Sequence, residues 1–222
     1  MSFGLSRGKE LITEGYGIEL SDLPGYDVDD PESSRIDPRK WFQDYERHFE
    51  IEIGSGKGTF LVQQAGLQRD VNYLGIEKAG EFYRYAADRM RRRELENVRI
   101  LRADATEFIR FRCPPELAQV IHLYFSDPWP KKRHHKRRVI QDESLRQFHR
   151  VLTSGGELRL VTDHDDLWAW YEDHAARHGD LFERRVFVAP DSAEDGELVG
   201  TNYERKFTHE GRPFHAMVLK KT

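Results

Sequence analysis

Four carboxylates stand where chemistry could begin. Glu52, Glu77, Asp104 and Asp127 each close a short apolar run of the kind that forms a β-strand. The first lies in Glu52-Ile53-Gly54-Ser55-Gly56-Lys57-Gly58, a glycine turn that lets backbone approach a ligand closely and then opens a helix. A dinucleotide is a poor fit, because Thr59 occupies the place of the third fingerprint glycine and Glu52 would repel a pyrophosphate. Glu77 is placed to accept hydrogen bonds from two ribose hydroxyls, and Asp104 to meet an adenine amine. An acidic ring of Glu52, Glu77, Asp104 and Asp127 suits a ligand with a sulfonium, an ammonium and no phosphate, namely S-adenosyl-L-methionine. Each acid alone could be a helix N-cap, Asp104 and Asp127 especially, but four in succession weigh against that reading.

The last of these acids opens Asp127-Pro128-Trp129-Pro130, which runs straight into a basic tract. The formal net charge is −4, yet residues 131–138 hold six Lys or Arg and no acid, leaving 29 basic against 39 acidic residues elsewhere. The tract is therefore a local positive feature on an acidic background. Strand and helix patterns flank it on both sides, so it does not read as a disordered tail. His134 and His135 are adjacent and lack a third partner in sequence reach, so no metal site is expected there.

These residues need a scaffold that gathers strand ends. Strands are expected at residues 49–53, 72–76, 98–103, 119–125 and 157–162, alternating with helices at 57–67, 80–94, 106–111, 143–152 and 166–178. Such alternation implies right-handed crossovers and a mostly parallel sheet with helices on both faces, an α/β Rossmann-like arrangement. The runs at 182–188 and 214–220 should add an antiparallel C-terminal pair. In open sheets of this kind ligands bind at the carboxyl ends of the strands, where the four acids stand. Residues 1–40, rich in Gly, Asp, Pro and Ser, read as a loosely ordered extension to a domain over 41–222.

The totals exclude several classes. With 222 residues and a mean hydropathy of −0.76, no apolar run approaches the length of a bilayer span, and the opening residues lack a secretory apolar core. Cys113 is the lone cysteine, which rules out an internal disulfide and a cysteine-cluster zinc site and fits a reducing cytoplasm.

Taken together, EIGSGKG at 52–58, GIEK at 75–78, DPWPKKRHHKRR at 127–138, TDH at 162–164 and TNYE at 201–204 resemble the bacterial tRNA (guanine-N7-)-methyltransferases from about Phe49 to the end. The long basic motif is highly specific, whereas the glycine turn would fit many methyltransferases. Ser126 stands where many members carry proline. The resemblance implies a class I S-adenosyl-L-methionine-dependent fold and methyl transfer to a guanosine of the tRNA variable loop. It makes Asp127 the catalytic residue and Lys131, Asp163, Thr201, Asn202, Tyr203 and Glu204 substrate contacts. Lys131, Lys132, Arg133, Lys136, Arg137 and Arg138 would then hold phosphates, with His134 and His135 part of the same RNA surface. Trp129 could stack on a base or wedge the turn. Independently of the family, Thr201 to Glu204 has the form of a capping box, and Asp165 or Asp166 suits the N-cap of the next helix.

Three other readings compete. Asp127-Pro128-Trp129 is close to the D/N-P-P-Y/W motif of amino-group methyltransferases, from which Pro130 and the basic tract depart. A non-catalytic RNA-binding module would not need the intact glycine turn with Glu52 and Glu77. An NAD-dependent oxidoreductase is disfavoured by Thr59.

Overall fold

The computed structural model describes residues 10–222, apart from the side chains of residues 202, 207 and 209. The chain forms two compact units, Met1–Arg112 and Cys113–Thr222.

In the first unit, β1 (Gly17–Glu19), β2 (His48–Ile53), β3 (Val71–Ile76) and β4 (Val98–Arg102) pair in the order β1-β4-β3-β2, every pair parallel. All six residues of β3 are buried, as expected of a strand covered on both faces. The connecting helices are α1 (Thr59–Leu67), α2 (Gly80–Arg92) and α3 (Ala105–Arg112). Helix α2 turns Tyr83, Ala86, Ala87 and Met90 inward at helical spacing while Arg84 and Arg92 stay exposed. The register sets Glu52 beside Gly75 and Ile76 beside Leu101, so β2, β3 and β4 end together.

The described part of the 1–40 stretch contributes one short edge strand. Gly17 to Glu19 pair with Ile100 to Arg102, giving an edge strand. Three residues are too few to show periodicity, and the pairing depends on packing from afar. A Cβ on Gly17 would stand 2.5 Å from the Tyr83 hydroxyl, so only glycine permits this approach. Arg112 is buried and donates to the carbonyls of Ser34 and Pro24, and Arg99 lies over the rings of Tyr16 and Phe42.

In the second unit, β5 (Ala118–Tyr124) and β6 (Leu152–Thr162) are parallel and joined through α4 (Asp142–Val151). Helix α5 (Asp165–Arg177) leads to β7 (Phe182–Arg185), and α6 (Asn202–His209) to β8 (His215–Lys221). Strand β8 is antiparallel to both β6 and β7, the C-terminal reversal anticipated from the sequence. No helix among the described residues is long and apolar enough to cross a membrane.

Candidate active site

In the first unit the glycine turn and three of the four acids come together after β2, β3 and β4. Gly54, Gly56 and Gly58 have φ of 74°, 53° and 64°, the left-handed region that side chains rarely adopt. Two of the three also leave room, since a Cβ on Gly54 or Gly56 would meet nothing within 4 Å. Gly58 is different: its Cβ would lie 3.0 Å from that of Ala86, so it packs α1 against α2 and acts as the N-cap of α1. That left-handed cap is why α1 starts at Thr59 and not at Lys57.

Glu52 and Glu77 differ sharply in how they are satisfied. Glu77 accepts from the Gly56 amide at 2.8 Å and the Ala79 amide at 2.7 Å, one per oxygen, which fixes the turn and leaves each oxygen a second lone pair. Glu52 is 5% exposed, and its Oε2 has no hydrogen-bond partner among the described residues. Burial pushes its carboxyl up to about 8, with Ser55 opposing and the Glu77 charge adding to the rise.

Asp104 takes the capping role that the sequence left open. Its Oδ1 accepts from the Thr106 amide and hydroxyl and from the Glu107 amide at the start of α3, while Oδ2 pairs with Lys78 at 3.0 Å. Burial alone would raise its pKa, but the bonds from Thr106 and Lys78 outweigh it and hold the carboxyl below its ordinary value.

In the second unit Asp127 follows β5 and is exposed, and no hydrogen bond or ion pair engages its carboxylate among the described residues. The N-cap considered for it is therefore not made. The turn around it is held by other atoms. Phe125 and Trp129 take positive φ of 53° and 43° without being glycine. The Trp129 ring lies edge-on to His134 at 5.7 Å and under the Arg137 guanidinium at 4.8 Å, a wedge built from the basic tract itself.

The tract is not a uniform RNA surface. Residues 132–137 form a 3-10 turn capped by Lys131; Lys131, Lys132, Arg133, Lys136 and Arg137 are exposed, and the three lysines have no ion pair among the described residues. Arg138 departs from the phosphate-binding expectation. It is 2% exposed, donates from Nε to the Pro128 carbonyl at 2.9 Å, pairs through Nη2 with Asp166 and lies over Trp170. A guanidinium so enclosed cannot reach a phosphate in this conformation. His135 likewise turns inward, edge-on to Trp170 at 5.3 Å.

Asp163 is largely buried and pairs with Arg212 at 2.8 Å. The α5 cap is His164, whose ring accepts from the Leu167 amide, and neither Asp165 nor Asp166 serves. Instead Asp165 bonds His215 and Asp166 bonds Arg138. Thr201 caps α6 by accepting from the Glu204 amide, as its spacing suggests. Glu204, 1% exposed, reaches back to the amides of Leu198, Val199 and Gly200, so its carboxylate is committed to the preceding loop and does not face a substrate. Tyr203 is 57% exposed and stacks on Phe125, two residues before Asp127. The Asn202 side chain lies outside the described residues.

Sequence reasoning missed Arg212, Trp170 and Tyr171, and gave Asp166 a capping role in place of its bond to Arg138. Their signal is three-dimensional, since each is recognisable only once α5 and β8 have brought it to a motif residue.

The family model for a putative methyltransferase matches residues 46–217. The tRNA (guanine-N(7)-)-methyltransferase of Geobacillus thermodenitrificans is 35% identical over 195 residues, covering 87% of this chain and 88% of that protein. This chain belongs to the tRNA (guanine-N(7)-)-methyltransferase family. The enzyme of the same name from Bacillus cytotoxicus is 34% identical over 194 residues, 87% of this chain and 88% of its own length. Among solved structures, the aminoglycoside resistance methyltransferase NpmB1 aligns with a TM-score of 0.55 at 16% identity, covering 90% of this chain and 94% of that one. At that identity the likeness concerns fold, and the fold is the Rossmann-like class I methyltransferase fold.

Proposed function

We propose that this member of the tRNA (guanine-N(7)-)-methyltransferase family transfers the methyl group of S-adenosyl-L-methionine to N7 of a guanosine in the variable loop of tRNA, forming 7-methylguanosine. The observation that carries the assignment of roles is the Asp127 carboxylate, exposed, without a partner among the described residues, and four residues ahead of the exposed lysines and arginines.

Guanine N7 has an in-plane lone pair and no proton, so no general base is required. What the protein must supply is alignment and charge. Asp127 accepts hydrogen bonds from guanine N–H donors and stabilises the positive charge that grows on the purine. The tract then orients the RNA through Lys131, Lys132, Arg133, Lys136 and Arg137, with Tyr203 and Asp163 as further contacts.

The residues of the first unit fit the cofactor. A buried carboxylate oxygen without a donor suits a ligand that brings its own positive charge and N–H groups. A turn with open space beside Gly54 and Gly56 lets that ligand lie against backbone. When bound, S-adenosyl-L-methionine supplies an electrophilic methyl group on a sulfonium. Glu52 would meet its positive groups, Glu77 would accept from ribose hydroxyls through its remaining lone pairs, and Asp104 would add to the acidic surround. A cytoplasmic setting follows from the substrate.

Asp127→Asn tests the role directly. The carboxamide keeps the shape and loses the charge, so kcat should fall roughly 100-fold or more, the range for removal of one electrostatic stabiliser, while Kd for tRNA changes little. An unchanged kcat would remove Asp127 from the chemistry.

A further inference from the structure

Asp127 has no bond of its own among the described residues, so its position must come from its neighbours. On one side, the Ser126 hydroxyl meets the Tyr171 hydroxyl at 2.8 Å. On the other, the Pro128 carbonyl accepts from Arg138 Nε at 2.9 Å. Arg138 is itself fixed by Asp166 and by the face of Trp170 at 5.0 Å, and Trp170 is tied to the Ile140 carbonyl through Nε1 at 2.7 Å. Asp166, Trp170 and Tyr171 all belong to α5, with Asp166 and Trp170 at the i, i+4 spacing of one helix face and Tyr171 following Trp170. Two non-glycine residues at positive φ, Phe125 and Trp129, flank these anchors, a conformation that persists only where the surroundings impose it.

We propose that Arg138 and Tyr171 are positioning residues that clamp the Ser126–Pro128 backbone to α5 and thereby hold Asp127 at the reacting guanine. This rests on the reading of Asp127 given above. It separates the basic tract into two jobs: the exposed residues contact RNA, while its last arginine is turned inward and acts only through Asp127. The planar fork of arginine is what the site uses, since Nε serves the Pro128 carbonyl and Nη2 the Asp166 carboxylate. Lysine carries its donors on one nitrogen at the end of a flexible stem and cannot reproduce this planar two-nitrogen arrangement.

The test uses the full chain with unmodified tRNA transcript and S-adenosyl-L-methionine, comparing wild type, Arg138→Lys and Tyr171→Phe. In both variants kcat at saturating tRNA should fall roughly 10- to 100-fold, as expected for about an ångström of misplacement, while Kd for tRNA and its salt slope stay within about twofold of wild type. Amide hydrogen exchange in residues 125–130 should quicken in both. If Arg138 instead contacts RNA, Arg138→Lys will weaken tRNA binding or flatten its salt dependence with kcat preserved, and the proposal is overturned. Unchanged kcat in Tyr171→Phe also overturns it, and that variant decides the matter if Arg138→Lys does not fold. Should wild type produce no 7-methylguanosine, the functional reading fails. Exchange in the turn then still reports whether the clamp exists.

Discussion

Glu52 provides a quantitative check on the cofactor side. Its carboxyl titrates at about 8 in the folded chain against an ordinary value of 4.5. Between those pH values the folded chain keeps a proton that the unfolded chain has released, so stability falls as pH rises through the window. At about 1.36 kcal/mol per pH unit the loss on reaching pH 8 is on the order of 5 kcal/mol, and below pH 4.5 there is none. Glu52→Gln has nearly the same shape and no charge to bury. Measured by urea unfolding without cofactor, it should match wild type near pH 4.5 and exceed it by several kcal/mol at pH 8.5. A cationic ligand reverses the preference, since it favours the ionised carboxylate. S-adenosyl-L-methionine affinity of the wild type should therefore weaken about tenfold per pH unit below pH 8, with proton release on binding visible as a buffer-dependent calorimetric enthalpy. Glu52→Gln should bind more weakly and lose this dependence. Parallel stability curves for the two proteins, or a wild-type affinity flat from pH 6 to 8, would refute the reasoning.

Other expectations follow from particular contacts. Lys131→Ala with Arg133→Ala should flatten the slope of log K for tRNA against log salt by about 1.4 to 1.8 and leave S-adenosyl-L-methionine binding unchanged, which filter binding at several salt concentrations will show. Gly58→Ala should cost more stability than Gly56→Ala, because both are strained at positive φ but only Gly58 would press a Cβ onto Ala86; cofactor affinity should be the property that Gly56→Ala damages. Glu204→Gln should destabilise the chain by about 2 to 4 kcal/mol, since a carboxamide cannot accept from all three amides of residues 198–200. A drop in tRNA affinity with no change in thermal stability would instead return Glu204 to the substrate surface.

What the sequence made legible depended on how local the physics was. The parallel strands, the glycine turn and the C-terminal antiparallel reversal are written in periodicity and turn chemistry, and they stand where expected to within a few residues. Thr201 as a cap is equally local, because donor and acceptor lie three residues apart. Most of the failures are contacts between segments far apart in the chain. Arg138 reads like the residues before it until Asp166 and Trp170 enclose it. Gly17–Glu19 carries no strand signal until β4 offers an edge and Tyr83 leaves room for a glycine. Glu204 has the spacing of a capping box, yet its carboxylate serves the amides of a loop that spacing alone does not describe.

The central claim is the reacting atom. Labelled methyl transfer from S-adenosyl-L-methionine to unmodified tRNA, followed by digestion to nucleosides, tests it most directly. The account predicts label in 7-methylguanosine, lost when the variable-loop guanosine is replaced. Label in methyladenosine, or label in 7-methylguanosine that survives this replacement, would contradict it.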